Sequence, residues 1–170
     1  MRWEAVLGDI TTQEVDAVVN AANPQLMGGG GVDGAIHAAA GPALLQECRR
    51  VRAARWHDGL PVGEAVATGA GDLPARWVVH TVGPNRHRGQ TDPALLASAF
   101  RRSLEVVGEV GARSVAFPAV SAGIYGWEPE VVAETAVQTL RETPAGPVEH
   151  IRFVLFSASL HTVFAAALSR

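Results

Sequence analysis

The residues best placed to do chemistry lie in one stretch, Asn20-Ala-Ala-Asn-Pro-Gln-Leu-Met-Gly-Gly-Gly-Gly-Val-Asp-Gly-Ala-Ile-His37, where an apolar strand ends and four consecutive glycines open a helix. Glycine loses more backbone entropy on ordering than any other residue, so a run of four is tolerated only where main chain must approach something closely or adopt positive φ. Phosphate is the natural guest: successive amides can turn inward, and the following helix adds a partial positive end. A flexible surface loop is the bland alternative, and the Asn and Asp residues at both ends argue against it. Asp33 and His37 are four apart, which puts them on one helix face a turn from each other. By itself that spacing is common among ordinary helices.

A second loop of small residues, Pro118-Ala-Val-Ser-Ala-Gly-Ile-Tyr-Gly126, follows another apolar strand and precedes another helix. Ligands of open α/β sheets bind at such strand carboxyl ends. Its amides could also face a phosphate, with Ile124 and Tyr125 closing over it. One competitor is the dinucleotide-binding fingerprint, which Gly29-x-Gly31-x-x-Gly34 formally matches. That fingerprint belongs in the tight turn directly after the strand, whereas Ala21–Met27 intervene here, and no strand-ending acid follows about 20 residues on.

Both loops need strands to present them, and the chain supplies alternating apolar β-rich runs and helix-like stretches, the pattern of an α/β layered domain. Strands are expected at Glu4–Leu7, Ala17–Asn20, Ala65–Gly69, Trp77–Thr81, Ser114–Pro118 and Ile151–Phe156. Helices are expected at Val32–Ala40, Pro42–Arg55, Asp92–Gly108, Glu128–Arg141 and Ser159–Ser169, with Asp92 and Ser159 as N-caps and Gly41, Gly108 and Gly111 as stops. Trp56–Pro61 and Asn85–Gln90 read as surface loops. At 170 residues, residues 1–170 are expected to form a single domain.

Composition excludes several chemistries. All 14 basic residues are arginine, which removes Schiff-base chemistry, a catalytic lysine and the lysine of a P-loop. Cys48 is the single cysteine, so an internal disulfide and a clustered-cysteine zinc site are both ruled out, and a buried inert thiol is expected. The net charge of −3 and scattered arginines provide no broad basic face for a nucleic-acid backbone. No apolar run approaches the ~20 residues that span a bilayer, and Met1-Arg2-Trp3-Glu4 does not begin a signal peptide, so a soluble, cytoplasmic protein is expected.

At this point the residues resemble the macrodomain family, and within it the MacroD-type ADP-ribosyl hydrolases and O-acetyl-ADP-ribose deacetylases. The resemblance runs through Gly8-Asp-Ile-Thr11, Val15-Asp-Ala-Val-Val-Asn-Ala-Ala-Asn23, Gly28–His37, Leu73-Pro-Ala-Arg-Trp-Val-Val-His-Thr-Val-Gly-Pro84 and Ala116–Gly126, covering nearly the whole chain. It implies a three-layer α/β/α fold with a mixed central sheet. It also implies a ligand map for ADP-ribose: Asp9 accepting from the adenine amino group with the Ile10 backbone beside it, Phe156 packing on adenine, and Gly30, Gly31 and Val32 with Ser121, Ala122, Gly123, Ile124 and Tyr125 wrapping the pyrophosphate and distal ribose. Without the family, Asp9 reads as a turn residue and Phe156 as a core phenylalanine. Asn20, Asn23, Asp33 and His37 would line the distal-ribose end as the catalytic set.

The reaction so implied is attack of water on an ester at the distal ribose, removing mono-ADP-ribose from acidic side chains or acetyl from O-acetyl-ADP-ribose. Asp33 would orient ribose and water, Asn23 would hold a ribose hydroxyl, His37 would support, and a phosphate oxygen of the ligand could assist deprotonation. A rival assignment makes Asp33 or His37 the general base. The expected partners are ADP-ribose, its esters and mono-ADP-ribosylated proteins, with nucleic acid only as an ADP-ribosylated substrate, no membrane, no cofactor and no metal. A non-catalytic ADP-ribose reader is the alternative, and a nicotinamide-dependent oxidoreductase a third that rests on the glycine match alone. The sequence departs from the family pattern at Ala122, where threonine is usual, and at Trp127-Glu128-Pro129, which puts the width of the distal-ribose pocket in question.

Overall fold

A computed structural model describes residues 1–170. Six strands, β1 (Arg2–Leu7), β2 (Ala17–Ala21), β3 (Ala65–Gly69), β4 (Trp77–Thr81), β5 (Ser114–Phe117) and β6 (His150–Leu155), form one sheet in the order β1-β6-β5-β2-β4-β3. All neighbours pair in parallel except β3, which runs antiparallel to β4 at the edge, so the sheet is mixed. Five helices cover it: α1 (Gly31–Ala40), α2 (Pro42–Ala54), α3 (Pro93–Glu109), α4 (Pro129–Glu142) and α5 (Ala158–Leu168).

The two-residue period of the strands sorts their side chains between two cores. Ala17, Val19, Val79, Val115, Phe117, Ile151 and Phe153 join α3, α4 and α5 on one face. Val18, Val78, Ala116 and Val154 join Ile36 of α1 and Leu44 and Cys48 of α2 on the other. Helix, sheet and helix thus make the three layers expected. No helix is long and apolar enough to cross a membrane.

Two stop-and-start signals fell elsewhere than expected. Ser157, not Ser159, caps α5: it has extended backbone, and its hydroxyl accepts from the Leu160 amide at 3.3 Å, while Ser159 already lies inside the first turn. Gly108 does not end α3, which continues to Glu109, and the chain leaves the helix through Gly111 at φ +81°. Asp92 caps α3 through the Ala94 amide, and Gly41 ends α1 at φ +79°, as expected. Asn85–Gln90 contains a short 3-10 turn, Arg86–Arg88, capped by Asn85.

In the larger core Phe153 touches both Phe117 and Phe164, with ring centroids 6.0 and 5.1 Å away. Phe153→Ala should therefore destabilise the fold by about 3–5 kcal/mol, read as a fall in the urea midpoint at unchanged slope.

Candidate active site

Both glycine-rich loops leave the same carboxyl edge of the sheet, and a cleft opens between them. Counting its open mouth, it holds about 940 Å³ of space not filled by protein atoms. The floor comes from Ala21 at the end of β2 and Ala22 and Asn23 after it, one wall from Gly29, Gly30, Gly31, Val32 and Asp33, the opposite wall from Ser121, Gly123, Ile124 and Tyr125, and the far end from Leu155 and Phe156.

The first wall is a helix start without a cap. Gly30 occupies the N-cap of α1, so no side chain accepts from the first-turn amides, and the earliest helical bond is from Gly34 to the Gly30 carbonyl at 3.3 Å. The amides of Gly31, Val32 and Asp33 are left for an outside acceptor. Gly28 and Gly31 take φ of +86° and +59° and need glycine for that reason. Gly30 does not: its φ is −92°, and a Cβ there would meet nothing within 4 Å. Its smallness serves the space beside it and not the fold.

The opposite wall is held from behind. Ser121 sits at φ +70°, an uncommon conformation for a residue with a side chain, and is fixed by its hydroxyl donating to the Pro84 carbonyl at 2.9 Å. Trp127 donates its indole N–H to the same carbonyl at 3.0 Å and is buried in the core. Trp127 therefore anchors the loop, Glu128 is the N-cap residue of α4 and Pro129 its first residue. Ala122 turns its amide back to the Ala119 carbonyl at 3.1 Å and does not line the cleft, so of the loop residues expected to wrap a ligand it alone faces away.

The chain's own polar residues gather at the end of the cleft where β2 meets α1. Asn20 is fully buried, and its amide nitrogen lies 2.9 Å from Asp33 Oδ1 and 3.2 Å from His80 Nδ1. Behind His80 stand Thr68 Oγ1 at 2.9 Å from Nε2 and the Cys48 thiol at 3.8 Å. His37 Nε2 is 3.5 Å from Asp33 Oδ1, without hydrogen-bond geometry, and so has no hydrogen-bond partner. Burial pushes the Asp33 carboxyl above its ordinary pKa, against the opposing pull of the Asn20 hydrogen bond and of His37. Burial likewise pushes the Cys48 thiol up to about 12, which makes it inert. Asn23 is partly committed to the loop: its Nδ2 donates to the Gly28 carbonyl at 3.1 Å and its Oδ1 accepts from the Gln25 amide at 3.1 Å. One amide hydrogen remains for a ligand.

Asp9 and Ile10 lie outside the enclosed cleft, past the end of β1. The Gly8 amide bonds the Leu155 carbonyl at 2.9 Å, which brings this turn beside Phe156. Asp9 is exposed, and its Oδ1 accepts from the Thr11 hydroxyl at 2.7 Å and the Thr11 amide at 2.9 Å, bonds that hold its pKa below the usual value and leave Oδ2 free. The Ile10 side chain is buried in the core, so only its main chain is available. Phe156 is 72 % exposed and is not a core residue.

The Macro domain family profile matches residues 19–136, more than half of the chain and inclusive of both loops. The chain belongs to the macro domain family. It is 57 % identical over 163 residues to a Macro domain-containing protein of Streptomyces nogalater, covering 96 % of this chain and 90 % of that one. It is 52 % identical over 158 residues to the O-acetyl-ADP-ribose deacetylase of Escherichia coli, covering 91 % and 88 %. Among solved structures, a macrodomain of Oceanobacillus iheyensis with ADP superposes at a TM-score of 0.91 with 39 % identity, covering 97 % of this chain and 88 % of that one. A Trypanosoma brucei macrodomain in complex with ADP-ribose superposes at 0.84 with 35 % identity, covering 96 % and 68 %.

Two members of the polar cluster in this macro domain, Thr68 and His80, have no role legible in the sequence, whereas Cys48 is the buried inert thiol expected. A signal for His80 was available: it shares the strand face of the apolar Val78, two residues before it, and so had to be a buried histidine needing partners.

Two predictions follow from the site. Gly30→Val should leave the melting temperature within a few degrees while turnover falls about tenfold or more, because the added side chain enters only the cleft; matched thermal melts and rate assays would measure both. Burial, with a smaller contribution from His37, depresses His80 to about 3. Unfolding therefore takes up a proton between that value and the ordinary pKa of about 6.5. This contribution to stability is complete above about pH 6.5 and is lost as pH falls towards 3, at up to about 1.4 kcal/mol per pH unit. Asp33, raised, acts with the opposite sign. Urea melts between pH 6 and 4 should show stability falling with pH, with that slope reduced by about one proton in His80→Gln.

Proposed function

We propose that this macro domain binds ADP-ribose in the cleft and hydrolyses esters at its distal ribose, O-acetyl-ADP-ribose first among them. The observation that carries the reading is the pair of facing loops with unpaired amides, at whose inner end a buried carboxylate, Asp33, stands where it can meet the sugar. A diphosphate suits the two rows of amides because it takes several hydrogen bonds and, at the start of α1, a favourable dipole, without needing lysine. The naming of relatives about half identical over nearly the whole chain as O-acetyl-ADP-ribose deacetylases supports the reaction.

In the proposed reaction water adds to the acetyl carbonyl, the ester C–O bond breaks, and acetic acid and ADP-ribose leave. Asp33 orients water and ribose through Oδ2, since Oδ1 is engaged by Asn20. Asn23 offers its remaining amide hydrogen to a ribose hydroxyl, and His37 flanks Asp33 as a supporting group. Phe156 and Asp9, on neighbouring strand ends, take the adenine ring and its amino group. The amides of Gly31, Val32, Ser121, Gly123, Ile124 and Tyr125 hold the diphosphate and the distal ribose, with Gly30 leaving room. Most of the rate would come from positioning and electrostatics. A carboxylate is already a good leaving group, so glutamate-linked or aspartate-linked mono-ADP-ribose on proteins fits the same geometry.

Asp33→Ala should lower release of acetate from O-acetyl-ADP-ribose by about a hundredfold or more while affinity for ADP-ribose stays within about tenfold. Calorimetry and a coupled acetate assay would measure the two. Binding with no turnover in the unsubstituted protein would make it a reader instead, and absence of ADP-ribose binding would remove the reading altogether.

A further inference from the structure

The His80–Asn20–Asp33 contacts run through a single nitrogen, which ties the protonation states of His80 and Asp33 together. Asn20 Nδ2 faces both Asp33 Oδ1 and His80 Nδ1. If it carries its two hydrogens to an ionised Asp33 and to His80, the imidazole must present a bare Nδ1 and hold its proton on Nε2. There Thr68 Oγ1 accepts, because the Thr68 hydroxyl already donates to the Gly69 carbonyl at 2.9 Å. The opposite tautomer would set two N–H groups against each other at Asn20 and leave Nε2 without a donor at Thr68. Reversing the Asn20 amide would press its oxygen on the Asp33 carboxylate in its ionised form. The arrangement is locked from the β3 edge of the sheet to the cleft, and Asn20 and His80 are register partners on adjacent parallel strands.

We propose that His80 is a positioning residue of the reaction: its bare Nδ1, fixed by Thr68, holds the Asn20 amide so that Asn20 presents its second hydrogen to Asp33 Oδ1 and keeps Oδ2 turned to the substrate. The inference rests on the role proposed for Asp33. His80 does not line the cleft and is fully buried, so its effect must pass through Asn20. Solvent cannot substitute for it there, because Asn20 and His80 are both fully buried. The other polar or titratable groups near Asp33 are His37 on its own helix, Asn23 after β2, Cys48 from α2 and Tyr125 from the second loop, whereas the side-chain hydrogen-bond partners of Asn20 are Asp33 and His80.

Two isosteric substitutions separate the roles. His80→Asn puts an amide oxygen where Nδ1 stood and keeps the acceptor for Asn20; His80→Gln keeps a donor in place of Nε2 for Thr68 and removes that acceptor. Both leave space beside Cys48 and lose comparable packing, so thermal melts should fall together. His80→Gln should lower kcat for O-acetyl-ADP-ribose about tenfold with KM changed less than about threefold, whereas His80→Asn should retain kcat within about threefold. The acidic limb of the kcat profile should also move to higher pH in His80→Gln, since an Asn20 amide no longer held in place supports the ionised form of Asp33 less.

Equal kcat in the two variants, or an unmoved acidic limb in His80→Gln, would reduce His80 to a packing residue and overturn the proposal. Should neither variant fold, Thr68→Val, which removes only the hydroxyl that fixes the tautomer, takes their place: a fall in kcat with the same movement of the acidic limb supports the proposal, and an unchanged profile overturns it. Nitrogen NMR of the unsubstituted protein should find His80 neutral with its proton on Nε2 from about pH 5 to 8, and the other tautomer would equally overturn it. Failure of the unsubstituted protein to turn over substrate while that tautomer is present would instead count against the function of Asp33.

Discussion

An α-helix that begins without a side-chain cap leaves its first amides unsatisfied, and α1 begins at a glycine flanked by glycines. A serine or aspartate in that position would have taken one of these amides for itself and weakened the demand for an anion. The second loop repeats the condition by different means: Ala122 uses its amide within the turn, while Ser121, Gly123, Ile124 and Tyr125 do not. Everything else in the site depends on these two rows of donors, because they fix where a diphosphate can lie and therefore how far a sugar attached to it can reach. Asp33 belongs to the first turn of the helix whose amides face the cleft, so the carboxylate is positioned by the element that would hold the ligand.

The sheet makes the buried end of the site possible. Side chains alternate across it, so Asn20 falls on the same face as Val18, and His80 on the same face as Val78, towards α1 and α2. Parallel register then sets Asn20 against His80. Two polar residues that are costly to bury alone satisfy each other, with Thr68 and Asp33 at either end. One acceptor, Asn20 Oδ1, stays buried without a partner, as does His37 Nε2, and both belong to residues in contact with Asp33.

Much of this was legible in the chain, for identifiable reasons. The strands read correctly because each is short, apolar and bounded by turn residues, and the two loops stood out because consecutive glycines and small residues have few other uses. The misplaced cap of α5 came from two serines two residues apart, of which only backbone conformation can select one. Gly108 resembles a stop in sequence, yet a helix can pass a glycine at modest cost when the rest of its face is buried. Ala122 differs from its loop neighbours because its amide is used within the turn, and a sequence does not say which amides of a turn point inward. His80 and Thr68 went unassigned because their partnership depends on register between β2, β3 and β4, a property of pairing that no single segment carries. Phe156 could be read as an ordinary core phenylalanine from its strand-end position, and its exposure removes that reading.

Ser121 combines a left-handed backbone with a hydroxyl tied to Pro84, beside a tryptophan tied to the same oxygen. A glycine there would adopt the conformation freely and would also leave it freely. The serine accepts roughly 1–2 kcal/mol of backbone strain and in exchange narrows the loop to one shape before any guest arrives. Recognition at that wall is then closer to insertion into a rigid mould than to folding around a visitor, and the ordering entropy has been lost during folding, when the whole domain shares it.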